Sequence, residues 1–128
     1  MKLFLGMTLA ALMFMYRSFG PAALDGSSWD VRIKRTPLLP LGKKDTLVFE
    51  RGRFSSARML ASGYFPSGYD AGAEDQEAVW ETSQIREDGT VLTWQGRVKG
   101  DRIKGTLIHR GLNGAEKRYS FKGRRKTF

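Results

Sequence analysis

The chain holds a single histidine, His109, and no cysteine. Those two facts bound its chemistry. One histidine without cysteine does not assemble a His/Cys zinc site. As a general base, His109 would need a nucleophile and an orienting carboxylate, and no Gly-x-Ser-x-Gly elbow is present. Its alternation with Ile103 and Leu107 reads instead as a rim or structural histidine. Asp70, Glu74, Asp75 and Glu77 form an oxygen-rich cluster that leaves calcium binding open, but the spacing of an EF-hand loop is absent and a solvated acidic loop is expected. No catalytic set, no metal site and no cofactor motif emerges.

Two other groups of residues carry more. The first is Gly63-Tyr64-Phe65-Pro66-Ser67-Gly68-Tyr69, three aromatics in a glycine-flanked segment. Tyr64, Phe65 and Tyr69 would line the mouth of a barrel and grip a small apolar or amphipathic ligand. Alternatively the segment folds back and plugs a small core. The second is the basic C-terminus, with Lys117, Arg118, Lys122, Arg124, Arg125 and Lys126. Lys122, Arg124, Arg125 and Lys126 would meet an anionic surface, a lipid headgroup or a polysaccharide, unless they form a solvated tail. Nucleic acid is the weakest partner class, since no nucleic-acid motif occurs.

These residues must be positioned by strands. The run Trp94-x-Gly96-x-Val98-x-Gly100-Asp101-x-Ile103-x-Gly105-Thr106 alternates with period two. Leu92, Trp94, Gly96 and Val98 share one face, and Ile103, Gly105 and Leu107 share the matching face of the next strand. Thr93, Gln95, Arg97, Lys104 and Thr106 take the other side. Trp29, Val31 and Ile33 alternate with Asp30, Arg32 and Lys34 in a first strand, and Leu47 and Phe49 share a face of a second. Arg51-Gly52 turns into a third strand, Arg53 to about Leu60. Strands over Ala78–Arg86, Thr90–Val98, Arg102–His109 and Ala115–Lys122 follow, with turns at Asp88-Gly89, Gly100-Asp101 and Asn113-Gly114. Thr36–Lys44 and Ser62–Asp75 read as loops, and no helix is expected. The fold class is all-β: an antiparallel up-and-down meander of about seven strands that curls and closes, since closure removes exposed edges. A monomer is expected.

The N-terminus reads as a leader. Lys2 precedes an apolar run from Leu3 to Tyr16, broken only by Thr8, and Arg17 and the small residues Ser18 to Ala23 follow. The run is shorter than the roughly 20 residues of a membrane span. Cleavage after Gly20 or Ala22 fits the small-x-small rule, and an uncleaved anchor is the competing reading. The expected organisation is a signal peptide over 1–22 and one β-barrel domain over 23–128, exported to the periplasm or beyond. Without cysteine, neither a lipid anchor nor a disulfide is available. The net charge of the whole chain is +9, and losing Lys2 and Arg17 leaves +7. The domain is strongly basic.

Asp25-Gly26-Ser27-Ser28-Trp29 resembles the Gly-x-Trp opening of lipocalin-type barrels, with one extra residue before the tryptophan and a shorter chain overall. Thr46-Leu47-Val48-Phe49, Gly52-Arg53-Phe54-Ser55, the aromatic segment, Trp94-x-Gly96-x-Val98-x-Gly100 and Tyr119-x-Phe121-x-Gly123 are similar to small secreted bacterial domains of calycin-like fold and uncharacterised function. The resemblance implies a small lipocalin-like barrel in a bacterial envelope. It also implies that Trp29 closes the barrel base under a basic residue near the last strand: Lys122, Arg124 or Arg125. The functional expectation is an exported, non-enzymatic binding module for a small apolar or amphipathic ligand. The alternative is an interaction or structural protein with a filled barrel that recognises an envelope protein or polysaccharide.

Overall fold

A computed structural model describes residues 24–35 and 42–127. The expected leader and residues 36–41 of the first loop lie outside the described residues. The elements are β1 (Ser27–Lys34), β2 (Lys43–Glu50), β3 (Arg53–Ser56), α1 (Ala57–Ala61), β4 (Ser67–Gly68), β5 (Asp70–Glu74), β6 (Glu77–Ile85), β7 (Val91–Lys99), β8 (Arg102–Arg110) and β9 (Glu116–Arg125).

All nine strands belong to one antiparallel sheet in the order β4-β3-β2-β1-β9-β8-β7-β6-β5. The meander curls until its first strand pairs with its last, Val31 opposite Gly123 and Ile33 opposite Phe121. The ladder is interrupted only between β4 and β5, which Tyr69 joins in sequence. There Thr82 Oγ1 donates to the Gly68 carbonyl and accepts from Ser67 Oγ, each at 2.6 Å. The result is a nearly closed barrel with a seam held by side chains.

The strand count corrects the expectation of seven, because β4 and β5 lie in the stretch expected to be a loop. The β5–β6 hairpin turns on Asp75 and Gln76, at φ 52° and 66°. That left-handed pair normally advertises itself by glycine or asparagine, and here it does not. The third strand is also shorter than expected. Ser56 accepts from the Met59 N–H at 3.2 Å and caps α1, while Asp45 accepts from the Arg58 N–H at 3.0 Å. Two oxygens thus satisfy helical N–H groups that a continuing strand would have paired with its neighbour.

The inward faces follow the period-two pattern. Trp29, Leu47, Phe49, Phe54 and Trp94 are fully buried. Phe49 and Trp80 meet edge to face at 4.9 Å between centroids, and Phe54 lies 5.0 Å from both Trp80 and Trp94. Trp80, Gly96, Gly105 and Phe121 sit directly opposite one another across β6 to β9. A Cβ on Gly96 would lie 2.6 Å from the Trp80 ring, and one on Gly105 would lie 2.1 Å from the Gln95 carbonyl oxygen. The two glycines let the sheet bend tightly, and the flanking rings fill the space they leave.

Most buried polar side-chain atoms among the described residues are matched, Trp80 Nε1 being the exception. Gln84 Oε1 accepts from Trp94 Nε1 at 2.9 Å, and Gln84 Nε2 donates to the Phe65 carbonyl at 3.1 Å. Trp29 Nε1 donates to Ser27 Oγ at 3.0 Å, and that hydroxyl donates to the Leu24 carbonyl. The guanidinium of Arg125 lies over the Trp29 ring, 5.6 Å from its centroid. Of the three basic residues considered for that position, the fold places Arg125 there.

Candidate functional site

Between the inward side chains, the alternate residues of each strand point outward, and the register determines which of them meet. Lys44 of β2 is opposite Arg32 of β1. Arg32 is opposite Lys122 of β9, Lys122 opposite Lys104 of β8, and Lys104 opposite Arg97 of β7. Five cations therefore stand in one line across five neighbouring strands. With strands about 4.8 Å apart, the line is about 19 Å long. Directly opposed like charges destabilise a sheet, by about 0.2–1 kcal/mol per pair. Four such pairs in succession are a standing cost that the fold does not need.

Two further lanes run parallel to this row. On one side lie Arg124, Arg102 and Lys99, opposite one another in turn, with Asp30 facing Arg124. On the other lie Ser120, Thr106 and Gln95, with Lys34 facing Ser120. Two open hollows, of about 1120 and 1080 Å³, share Arg32, Lys34, Arg97, Lys104 and Lys122 as a common wall. The first takes in the second cationic lane and the other takes in the hydroxyl and amide lane.

Asp30 stands within this face opposite Arg124, and the other carboxylates that pair with its cations lie at its margins. Arg97 bonds Glu74 and lies 3.6 Å from Glu77. The hydrogen bond that it donates to Glu74 is the main cause that raises the affinity of this guanidinium for its proton. Arg124 lies 3.9 Å from Asp101. Arg32 donates to the Gly42 carbonyl at 3.2 Å. Among the described residues, Lys44, Lys99, Arg102, Lys104 and Lys122 are in no ion pair. Their positive charge is therefore available to a partner.

The expected mouth residues go elsewhere. Tyr64 is buried, its hydroxyl 2.7 Å from Thr90 Oγ1 and its ring under the Arg86 guanidinium. Tyr69 is buried edge-on against Phe49, and its hydroxyl donates to Asp25 at 2.5 Å. Burial, then the Asp25 carboxylate, push the Tyr69 hydroxyl above its ordinary range. Phe65 is 68% exposed. The structure thus separates the three: two tyrosines act as plugs and one phenylalanine faces outward.

Of the expected basic residues, Lys122 and Arg124 belong to the cationic face. Arg125 is committed to Trp29. The main-chain N–H of Lys126 donates to Ser28 at 2.8 Å, so the chain stays tied to β1 beyond the last strand. His109 is half-buried opposite Leu92 and Lys117. Asp70 and Glu81 face each other at the far edge of the sheet, and Arg86 and two bonds from Thr90 hold the Asp88 carboxyl well below its usual range in its turn. Sequence reasoning missed Lys44, Arg32, Arg97, Lys99, Arg102 and Lys104 as site residues. The alternating cations were visible in each strand, but the alignment of Arg32 and Lys44 with the rest depends on the pairing of β1 with the distant β9. Comparison with known families, curated proteins and solved structures returned no match.

Proposed function

We propose that the protein is an exported, non-enzymatic binding module that holds an anionic partner against the outer face of a filled, lipocalin-like barrel. The observation that carries this reading is the Lys44–Arg32–Lys122–Lys104–Arg97 row. An anion laid on it converts four repulsions into attractions. The packed rings and the internal partners of Tyr64 and Tyr69 favour this filled-barrel reading over an apolar ligand held beneath the aromatic segment. The leader supports export, and Arg125 over Trp29 supports the lipocalin-like closure.

Retention on a heparin column tests the proposal. The Lys104→Glu, Lys122→Glu pair should elute at clearly lower salt than Lys117→Glu, Arg118→Glu, which changes the charge equally at exposed positions off the row. Equal elution of the two variants removes the reading, because bulk charge then explains retention.

A further inference from the structure

We infer that the occupant of this face is a linear acidic polysaccharide whose chain runs across the strands, along the row from Lys44 to Arg97. This rests on the anionic-partner reading above and adds the chemistry of the ligand.

The shape of the charge comes first. A compact anion engages two or three neighbouring cations. A row of five, stepped at the strand spacing of about 4.8 Å, matches a chain whose acidic groups recur along its length. Arg124, Arg102 and Lys99 widen the positive strip on one side, where Asp30 ends their run, and on the other side Lys34 is the one cation beside Ser120, Thr106 and Gln95.

The lane on the other side identifies the rest of the chain. Ser120, Thr106 and Gln95 lie in register two residues along from Lys122, Lys104 and Arg97, about 7 Å away. They offer hydroxyl and amide groups, each both donor and acceptor, and carry no charge. A polymer with acidic groups on one edge and hydroxyls on the other satisfies both lanes together. Beyond Gln95 come Glu81 and Asp70, opposite one another, and beyond Arg97 come Glu74 and Glu77. These carboxylates repel a polyanion and set the end of the track.

Other polyanions fit less well. Among the described residues the exposed large apolar side chains are Leu60, Phe65, Ile85 and Leu112. They lie on α1, in the segment after it, at the end of β6 and in the β8–β9 turn, and none stands in the three lanes, so this face has nothing to insert into a bilayer. The lanes also carry no aromatic side chain on which the bases of a single-stranded nucleic acid would stack.

Titration calorimetry on the full chain decides the matter, with polygalacturonate oligomers, dextran, phosphatidylglycerol vesicles and oligo-deoxythymidine as probes. Polygalacturonate should bind, with affinity that rises with length and levels off once the oligomer spans about 19 Å, the length of the row. Dextran should not bind. Lys104→Gln should lower the slope of log K against log salt by about one. Gln95→Ala with Thr106→Val should weaken polygalacturonate several-fold and leave that slope unchanged. Vesicles or the oligonucleotide binding more tightly than polygalacturonate, through Lys104 and Lys122, overturns the polysaccharide and leaves the anionic-partner reading standing. If no probe responds to Lys104→Gln with Lys122→Gln, both readings fall together.

Discussion

The two faces of the same strands follow opposite rules. Gly96 and Gly105 face inward in β7 and β8, and Arg97 and Lys104 are their neighbours in sequence facing outward. Inside, neighbouring side chains complement one another: Trp80 covers Gly96, Phe121 stands beside Gly105, and Gln84 satisfies Trp94. Outside, cation stands opposite cation four times in succession. A surface optimised only for stability would alternate charge across such a row, as Arg110 and Glu116 do at the far end of β8 and β9, where their side chains lie 2.9 Å apart. The inner face therefore reports what the fold needs, and the outer row is the feature on which the proposed anionic partner rests.

The comparison predicts graded outcomes. Trp94→Ala should be the most damaging, at about 3–5 kcal/mol, since it empties a fully buried site and orphans the Gln84 amide oxygen. The urea unfolding midpoint measures it. Gly105→Ala should cost about 1–3 kcal/mol or more, because the new methyl meets backbone rather than a yielding side chain. A harmless Gly105→Ala would break the account of the inner face.

Tyr69→Phe should cost about 1 kcal/mol through the lost bond to Asp25, which keeps the Gly52 N–H. It also carries a sign. The folded state raises the hydroxyl above its unfolded value, so it favours the protonated, neutral form. That stability is fully present below about pH 10 and is lost as pH rises further. Unfolding monitored between pH 9 and 11 should steepen in the wild type and flatten in Tyr69→Phe.

The smallest effect has the opposite direction. Lys104→Glu should raise stability by about 0.2–1 kcal/mol, because it turns two opposed cation pairs into ion pairs with Lys122 and Arg97. The same substitution should weaken retention on an anionic matrix. A variant that gains stability and loses binding would sharpen the contrast between the faces, and one that loses both would dissolve it.

Much of the barrel was legible in the sequence. Period-two alternation identified Trp29, Leu47, Phe49, Trp94 and Ile103 as inward residues, and all are buried. Arg51-Gly52 and Gly100-Asp101 announced their turns. The Asp75-Gln76 turn did not, and α1 was hidden because its start depends on Asp45, eleven residues before Ser56. The cationic face was half legible. Lys122 and Arg124 stood out within one strand and Lys104 meets Lys122 across consecutive strands, but Arg32 and Lys44 join them only through the β1–β9 ladder between segments far apart in the chain. Turn geometry sets register within a hairpin, but no local pattern encodes it for strands as distant as β1 and β9.

The pairing of β1 with β9 also governs the order of events during synthesis. The N-terminal strand has its partner on one side, β2, as soon as that segment emerges, but its other ladder waits for nearly the whole chain. Contacts so distant in sequence form slowly, since loop closure precedes any reward. A ribosome-bound or partly translocated chain lacking Glu116–Arg125 leaves Trp29 without its Arg125 cover and two strand edges open. The barrel is thus a fold whose ladder can be completed only after β9 has been delivered.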